Sequence, residues 1–266
     1  MRYGISSSAL FGCMETDQAL AYLRDSGICE CAEVFFQCPD EYSGQYRKAV
    51  FEAARGLDIV SMHMLSSSFE GMLFSNSSHG REYALRETAD AIRAGHELGA
   101  QRYVFHGRNR LMSAKNGIVP LANAQSVSRA IRPVMEELDL HGMKLALENV
   151  YWSEFSCPEF GAQIAELLPD ITFTLDTKQA ARSGYDYHPY MEAMGERLEH
   201  VHVYDFDEGG NVCLPGRGRF DFARFGDELR ERGYEGAVII EAYPYMYKEP
   251  QELFEALEFL KRKMGR

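Results

Sequence analysis

Six short stretches of the chain alternate small or polar residues with apolar ones and finish, in the same phase, on a side chain able to hold a metal or move a proton. They are Asp58-Ile-Val-Ser-Met-His63, Arg102-Tyr-Val-Phe-His106, Lys144-Leu-Ala-Leu-Glu148, Thr172-Phe-Thr-Leu-Asp176, Glu199-His-Val-His202 and Ala237-Val-Ile-Ile-Glu241. On an extended strand, residues two apart share a face. One face therefore carries the terminal ligand together with Ser61, Ala146, Thr172, Thr174 and His200. The other carries Val60 and Met62, Tyr103 and Phe105, Leu145 and Leu147, Phe173 and Leu175, Val238 and Ile240. An apolar face for helices and an opposite face narrowing onto polar groups predict the wall of a closed parallel barrel. Strand ends that converge on one rim predict a single site, and hence an enzyme.

Around these six, strand-like and helix-like segments alternate with a repeat of about 30 residues. Strands are expected near 3–7, 29–35, 58–64, 102–106, 144–149, 172–177, 199–205 and 237–242. Amphipathic helices are expected over 16–25, 43–55, 79–98, 121–141, 159–168, 187–196, 220–232 and 250–264. Gly27, Gly56, Gly99, Gly142 and Gly233 supply helix stops just before the next strand. Eight such units predict an α/β fold with one (β/α)8 TIM barrel domain over residues 1–266. No GxGxxG follows the first strand, so a dinucleotide domain has no support. Long connections fall after the third, fourth and seventh strands, at 65–78, 107–120 and 206–219. The first of them carries Phe69, Met72, Leu73 and Phe74, as suits either a lid or a packed surface loop.

The chain's 266 residues are close to the usual barrel length of about 250. A net charge of −12 argues against a nucleic-acid footprint and against an anionic membrane surface. Six cysteines without a CxxC pair suggest free thiols in a reducing compartment. The amino terminus lacks a signal core, and no apolar run approaches the roughly 20 residues of a membrane span, so a cytoplasmic protein is expected.

Glu148, Asp176, His202 and Glu241 close the last four strands. Three carboxylates and one imidazole aimed at one volume would repel severely without a cation. Such a hard set suits one divalent ion, Mn2+ foremost, with Mg2+, Co2+ or Zn2+ as alternatives.

Glu148-Asn149, Leu175-Asp176-Thr177, His200-Val-His202, Gly216-Arg-Gly-Arg-Phe-Asp-Phe222 and Ile240-Glu241 together resemble the xylose isomerase-like barrel superfamily. That group holds sugar isomerases and epimerases, inosose dehydratases, hydroxypyruvate isomerases and zinc apurinic-site endonucleases. The resemblance implies metal binding by Glu148, Asp176, His202 and Glu241, and acid/base roles for Glu148 and Glu241. It also implies contact of Glu154 with substrate hydroxyls. His63 and His106 match positions that bind further zinc in the endonucleases and line the substrate pocket in the isomerases. The chain departs from the family pattern at Gln179, where a histidine is frequent, and at Glu208, where ketohexose epimerases carry arginine.

A glycine-rich segment places Arg217 and Arg219 as candidates for a substrate carboxylate or phosphate, the alternative being a turn whose arginines pair with surface acids. Glu33 and Trp152 are further candidates, the latter as a face for a sugar ring. The expected activity is isomerisation or epimerisation of a small sugar, keto-sugar or polyol through an enediolate. Catalytic residues are Glu148 and Glu241; substrate-binding residues are His63, His106, Glu154, Gln179 and Arg217. Alternatives are an inosose dehydratase-like lyase, an apurinic-site endonuclease-like hydrolase and a non-catalytic sugar-binding barrel. The expected partner is a small carbohydrate, with no nucleic acid and no membrane; relatives in this superfamily suggest a homo-oligomer, dimer or tetramer.

Overall fold

Eight parallel strands hydrogen-bond in one closed ring: β1 (Arg2–Ser6), β2 (Cys31–Phe36), β3 (Ile59–Met64), β4 (Arg102–Phe105), β5 (Lys144–Glu148), β6 (Thr172–Asp176), β7 (Leu198–Val203) and β8 (Ala237–Ile240). Each pairs with its neighbours in sequence, and β8 pairs back onto β1 with Tyr3 opposite Val238. The structure is a computed structural model, describing residues 1–65, 69–108, 112–113, 117–118 and 124–265. Residues 66–68 of the expected lid and most of the 107–120 connection lie outside the described residues.

Helices α1 (Thr16–Ser26), α2 (Arg47–Ala54), α3 (Ser78–Leu98), α4 (Ala124–Leu140), α5 (Pro158–Leu167), α6 (Thr177–Arg182), α7 (Tyr187–Met194), α8 (Phe222–Glu231) and α9 (Glu252–Met264) surround the ring. All five expected glycine stops have positive φ, between 63° and 100°. The helix-facing strand residues, from Ile5 and Val34 through Phe173, Leu175 and Val238, lie in one apolar cluster with the inner faces of the helices. Burying that surface is the main drive for closure.

Inside the barrel the layers change character along its axis. Cys31, Val60, Ala237 and Ile239 form a small separate apolar cluster. Above it lie Glu33, Ser61 and His200, and then the strand-end residues Glu148, Asp176, His202 and Glu241. Val60 departs from the alternation reading, which put it beside Met62. Ala32 pairs with Ile59 but Glu33 pairs with Ser61, so Val60 is an extra residue in β3. A bulge of this kind flips the local phase and turns Val60 away from the helices.

Helix α6 is the element that alternation did not anticipate. Six residues are too few to show a helical period. Its cap is Asp176 itself, whose Oδ1 accepts the Gln179 N–H at 2.7 Å. The helix thus begins directly at the end of β6, with Lys178 and Gln179 in its first turn. Two short antiparallel pairs, Asp205–Phe206 with Val212–Cys213 and Met112–Ser113 with Gly117–Ile118, complete the described strands.

Candidate active site

Asn149 locks the ends of β5 and β6 together. Its Nδ2 donates to the Asp176 carbonyl at 3.0 Å, and its Oδ1 accepts the Asp176 N–H at 2.7 Å. With Oδ1 of Asp176 spent on capping α6, Oδ2 is left for the barrel mouth. There one ligand atom each from Glu148, Asp176, His202 and Glu241 lies within 4.8 Å of all the others. Asp176 Oδ2, His202 Nδ1 and Glu148 Oε1 are buried without a hydrogen-bond partner among the described residues, while Glu148 Oε2 faces His106 Nε2 at 3.0 Å and Asp176 Oδ2 has the Lys178 ammonium 3.6 Å away. Orphaned buried oxygens and nitrogens of this kind cost free energy unless something else satisfies them. Three oxygens and one nitrogen aimed at one point fit a divalent cation.

His202 is aimed from below. Glu33 Oε2 lies 3.1 Å from His200 Nε2 and 3.3 Å from His202 Nε2, and accepts the Ser61 hydroxyl at 2.8 Å. A proton on Nε2 facing Glu33 leaves Nδ1 directed at Glu148 and Glu241, 3.5 and 3.9 Å away. Burial alone would raise the Glu33 pKa, but His202 and His200 outweigh it and hold the carboxyl well below its usual range.

His63 and His106 play different parts, although their rings are only 4.5 Å apart. The Met64 N–H donates to His63 Nδ1 at 3.0 Å, so the proton of neutral His63 sits on Nε2. That N–H points toward Glu148 and Glu241, 4.0 and 3.9 Å off. Burial, with His106 adding to it, lowers the His63 pKa to about 4, which keeps this imidazole neutral. His106 Nε2 instead lies 3.0 Å from Glu148 Oε2. Burial opposes its charge, yet Glu148 and Glu70 prevail and raise its pKa to about 9.

Glu70, which sequence reasoning passed over inside the expected lid, is buried beneath this pair. It accepts the Tyr103 hydroxyl at 2.9 Å and the His106 backbone N–H at 3.1 Å. The described part of that segment is packed: Phe69 and Leu73 join the main core. Lys178 was passed over too. Its ammonium is wholly buried between Asp176 and Glu241, with Tyr204 and Tyr243 as hydrogen-bond partners. A lysine normally reads as surface; its place directly after Asp176-Thr177 was the available signal.

A cavity of about 230 Å³ opens over these groups, lined by Phe11, Phe35, His63, His106, Trp152, Gln179, Glu241 and Tyr243 among others. That is below the roughly 300–1,000 Å³ of drug-sized sites and suits a small molecule. Gln179 Oε1 accepts the Tyr151 N–H at 3.4 Å, which leaves its amide N–H groups for the cavity. Larger cavities of about 610 and 470 Å³, beside Arg129 and beside Arg232, contain no member of the ligand cluster.

Two expected substrate contacts are not brought to this cavity. Glu154 is buried against Arg108, with a 2.6 Å ion pair. Arg217 pairs with Glu252 and donates to the Met246 carbonyl at 3.2 Å. The glycine-rich loop is organised around Asp205, whose carboxylate accepts the N–H groups of Gly216, Gly218 and Phe220 at 2.9 Å each. A Cβ at Gly218 would overlap the Phe206 carbonyl and Asp205 itself. The loop is thus a wrap around a buried acid, which turns Arg217 outward. Arg219 donates to the carbonyls of Asp207 and Glu208, and Glu208 is exposed.

The sequence profile of the xylose isomerase-like TIM barrel family matches residues 20–263. The chain belongs to this family. No curated protein matches it. Among solved structures, 3-keto-D-glucoside 4-epimerase YcjR from E. coli superposes with a TM-score of 0.77 at 17% identity, covering 98% of this chain and 99% of that one. D-psicose 3-epimerase from Clostridium cellulolyticum H10 gives 0.79 at 16%, covering 99% of both. The probable 3-DHS dehydratase AsbF from Bacillus anthracis gives 0.72 at 13%, covering 100% of this chain and 98% of that one. At such identities the likeness to these structures is one of fold. Among the described residues, no helix of this family member is long and apolar enough to cross a membrane.

Proposed function

We propose that the protein is a divalent-metal-dependent epimerase or isomerase of a small keto-sugar or polyol, with Glu148 and Glu241 as its acid/base pair. The observation that carries this reading is the pairing of these two carboxylates in one ligand cluster beneath a small cavity. For both, burial would favour the neutral acid, but it is outweighed. His106 leads for Glu148 and Lys178 for Glu241, and both pKa values fall below the usual carboxylate range. Both are therefore bases at neutral pH.

Glu148, Asp176, His202 and Glu241 would hold the cation. When bound, such an ion polarises a carbonyl and an adjacent hydroxyl and stabilises the negative charge that develops as the neighbouring proton leaves. The protein's own groups do the rest. One glutamate removes the proton and the other returns one. Oε2 of Glu241 accepts the Tyr204 hydroxyl at 2.6 Å, so Oε1, the oxygen nearer His63, is the one free to take a proton. His63 offers its Nε2–H to a substrate oxygen, and Gln179 offers its amide. Phe11, Phe35 and Trp152 exclude water and supply an apolar wall for the C–H face of a sugar. Nearby structures in this fold that are named as epimerases of keto-glucosides and ketoses support the substrate class.

The test is solvent deuterium exchange. The protein with Mn2+ and a panel of ketoses in D2O should incorporate deuterium beside the carbonyl, and Glu148→Gln and Glu241→Gln should each reduce this by about 10²–10⁴-fold. Loss of water from the substrate instead of exchange would replace this reading with a lyase. Exchange that survives both substitutions would refute it.

A further inference from the structure

Lys178 is no part of the four-ligand set, yet its ammonium lies against two of its members. Nζ is 3.6 Å from Asp176 Oδ2 and 3.5 Å from Glu241 Oε2. It donates to the hydroxyls of Tyr204 at 2.6 Å and Tyr243 at 3.0 Å, and those two rings lie 4.1 and 4.7 Å from it. The side chain is wholly buried. It therefore touches no solvent, and it does not line the cavity where a substrate would bind.

A buried ammonium is costly unless it is paired, and this one is paired with carboxylates that a metal would also claim. Filling the space would not require charge, because a methionine has similar length and packs well against aromatic rings. What lysine adds is a fixed positive charge between Asp176 and Glu241. It offsets one of the three carboxylates, so a divalent ion meets a smaller attraction and a like charge already in place.

We infer that Lys178 is a built-in counter-ion, which holds Asp176 and Glu241 together in the metal-free chain and competes with the divalent ion for them. The centre is thus preassembled and its metal exchangeable, at the expense of affinity. This inference rests on the four-ligand reading above and goes beyond it.

Isothermal titration of chelator-stripped protein with Mn2+ tests it, comparing wild type with Lys178→Met and Lys178→Gln. The glutamine variant keeps donors for the tyrosines should the methionine variant fold poorly. Both variants are expected to bind Mn2+ at least about ten-fold more tightly, ~1.4 kcal/mol. Their melting temperatures should start lower without metal and rise further on its addition. Binding by the variants alone also supports the inference. Wild type that binds Mn2+ with variants no tighter overturns the inference and leaves the metal reading standing. Failure of all three proteins to bind overturns both.

Discussion

Replacing Glu33 by glutamine asks whether the site is held from beneath. The carboxylate is fully buried and receives three partners on one oxygen: Ser61 at 2.8 Å, His200 at 3.1 Å and His202 at 3.3 Å. At an effective dielectric constant near 20, a unit charge pair at that last distance attracts by about 5 kcal/mol. Desolvation of each ion returns several kcal/mol of this. Glutamine keeps the shape and one acceptor, so the net loss is that of roughly one to two charge-assisted hydrogen bonds, about 3 kcal/mol. For a chain of this size that lowers the melting temperature by about 6–12 °C. Loss of the carboxylate also frees His202 to rotate or change tautomer, and affinity for Mn2+ should fall by about 10–100-fold. Thermal unfolding of metal-free protein and calorimetric titration with Mn2+ read the two effects separately. A variant that loses stability while keeping full Mn2+ affinity would show that Glu33 does not orient His202. One that loses neither would refute the charge arrangement altogether.

Three further outcomes follow from the same geometry. Arg217→Ala should leave kcat/KM for the deuterium-exchanging substrate unchanged and cost only about 0–1 kcal/mol of stability, as exposed ion pairs do; a large loss of activity would return Arg217 to the site. Phe173→Ala should cost about 3–5 kcal/mol by chemical denaturation, since the ring is fully buried against Phe155 at 5.5 Å; a loss below the surface-mutation range would contradict the packing. The pKa of His106 in the folded chain is raised to about 9, so its stabilising contribution is complete below its unfolded value near 6.5 and is lost as pH rises through about 9. Glu70, raised by burial to about 7, acts in the same sense. The melting temperature of metal-free protein should therefore fall between about pH 6.5 and 9, and His106→Gln should flatten that slope; an unchanged slope would refute the assignment.

What the sequence made legible is what strand periodicity encodes. All eight strands and the eight longer helices fall where alternation and amphipathic spacing place them, because one face of every strand had to meet helices. The four strand-end residues Glu148, Asp176, His202 and Glu241 also come together, since residues in one phase at one end of a closed barrel have nowhere else to point. Periodicity fails where a local bond overrides it. Val60 is turned by a one-residue bulge, and α6 is started by the Asp176 side chain within six residues.

The charges that sequence alone leaves unplaced share one cause: a charged side chain names its chemistry but not its partner. The sequence leaves Arg217 open to an anionic substrate or to a surface acid; Asp205 folds the loop so that it meets the acid, Glu252. Lys178 carries no sequence signal of its own, yet α6 takes it directly into the carboxylates it neutralises. Both placements answer the same physical demand. A barrel mouth crowded with Glu148, Asp176 and Glu241 selects for buried positive charge from the strand ends and from α6, from His106 and Lys178, before it needs an arginine from a surface loop. Cation placement around this site should therefore be sought first on strand ends and on helices that start at a ligand. The exposed loops, where glycine-rich patterns attract the eye, come second.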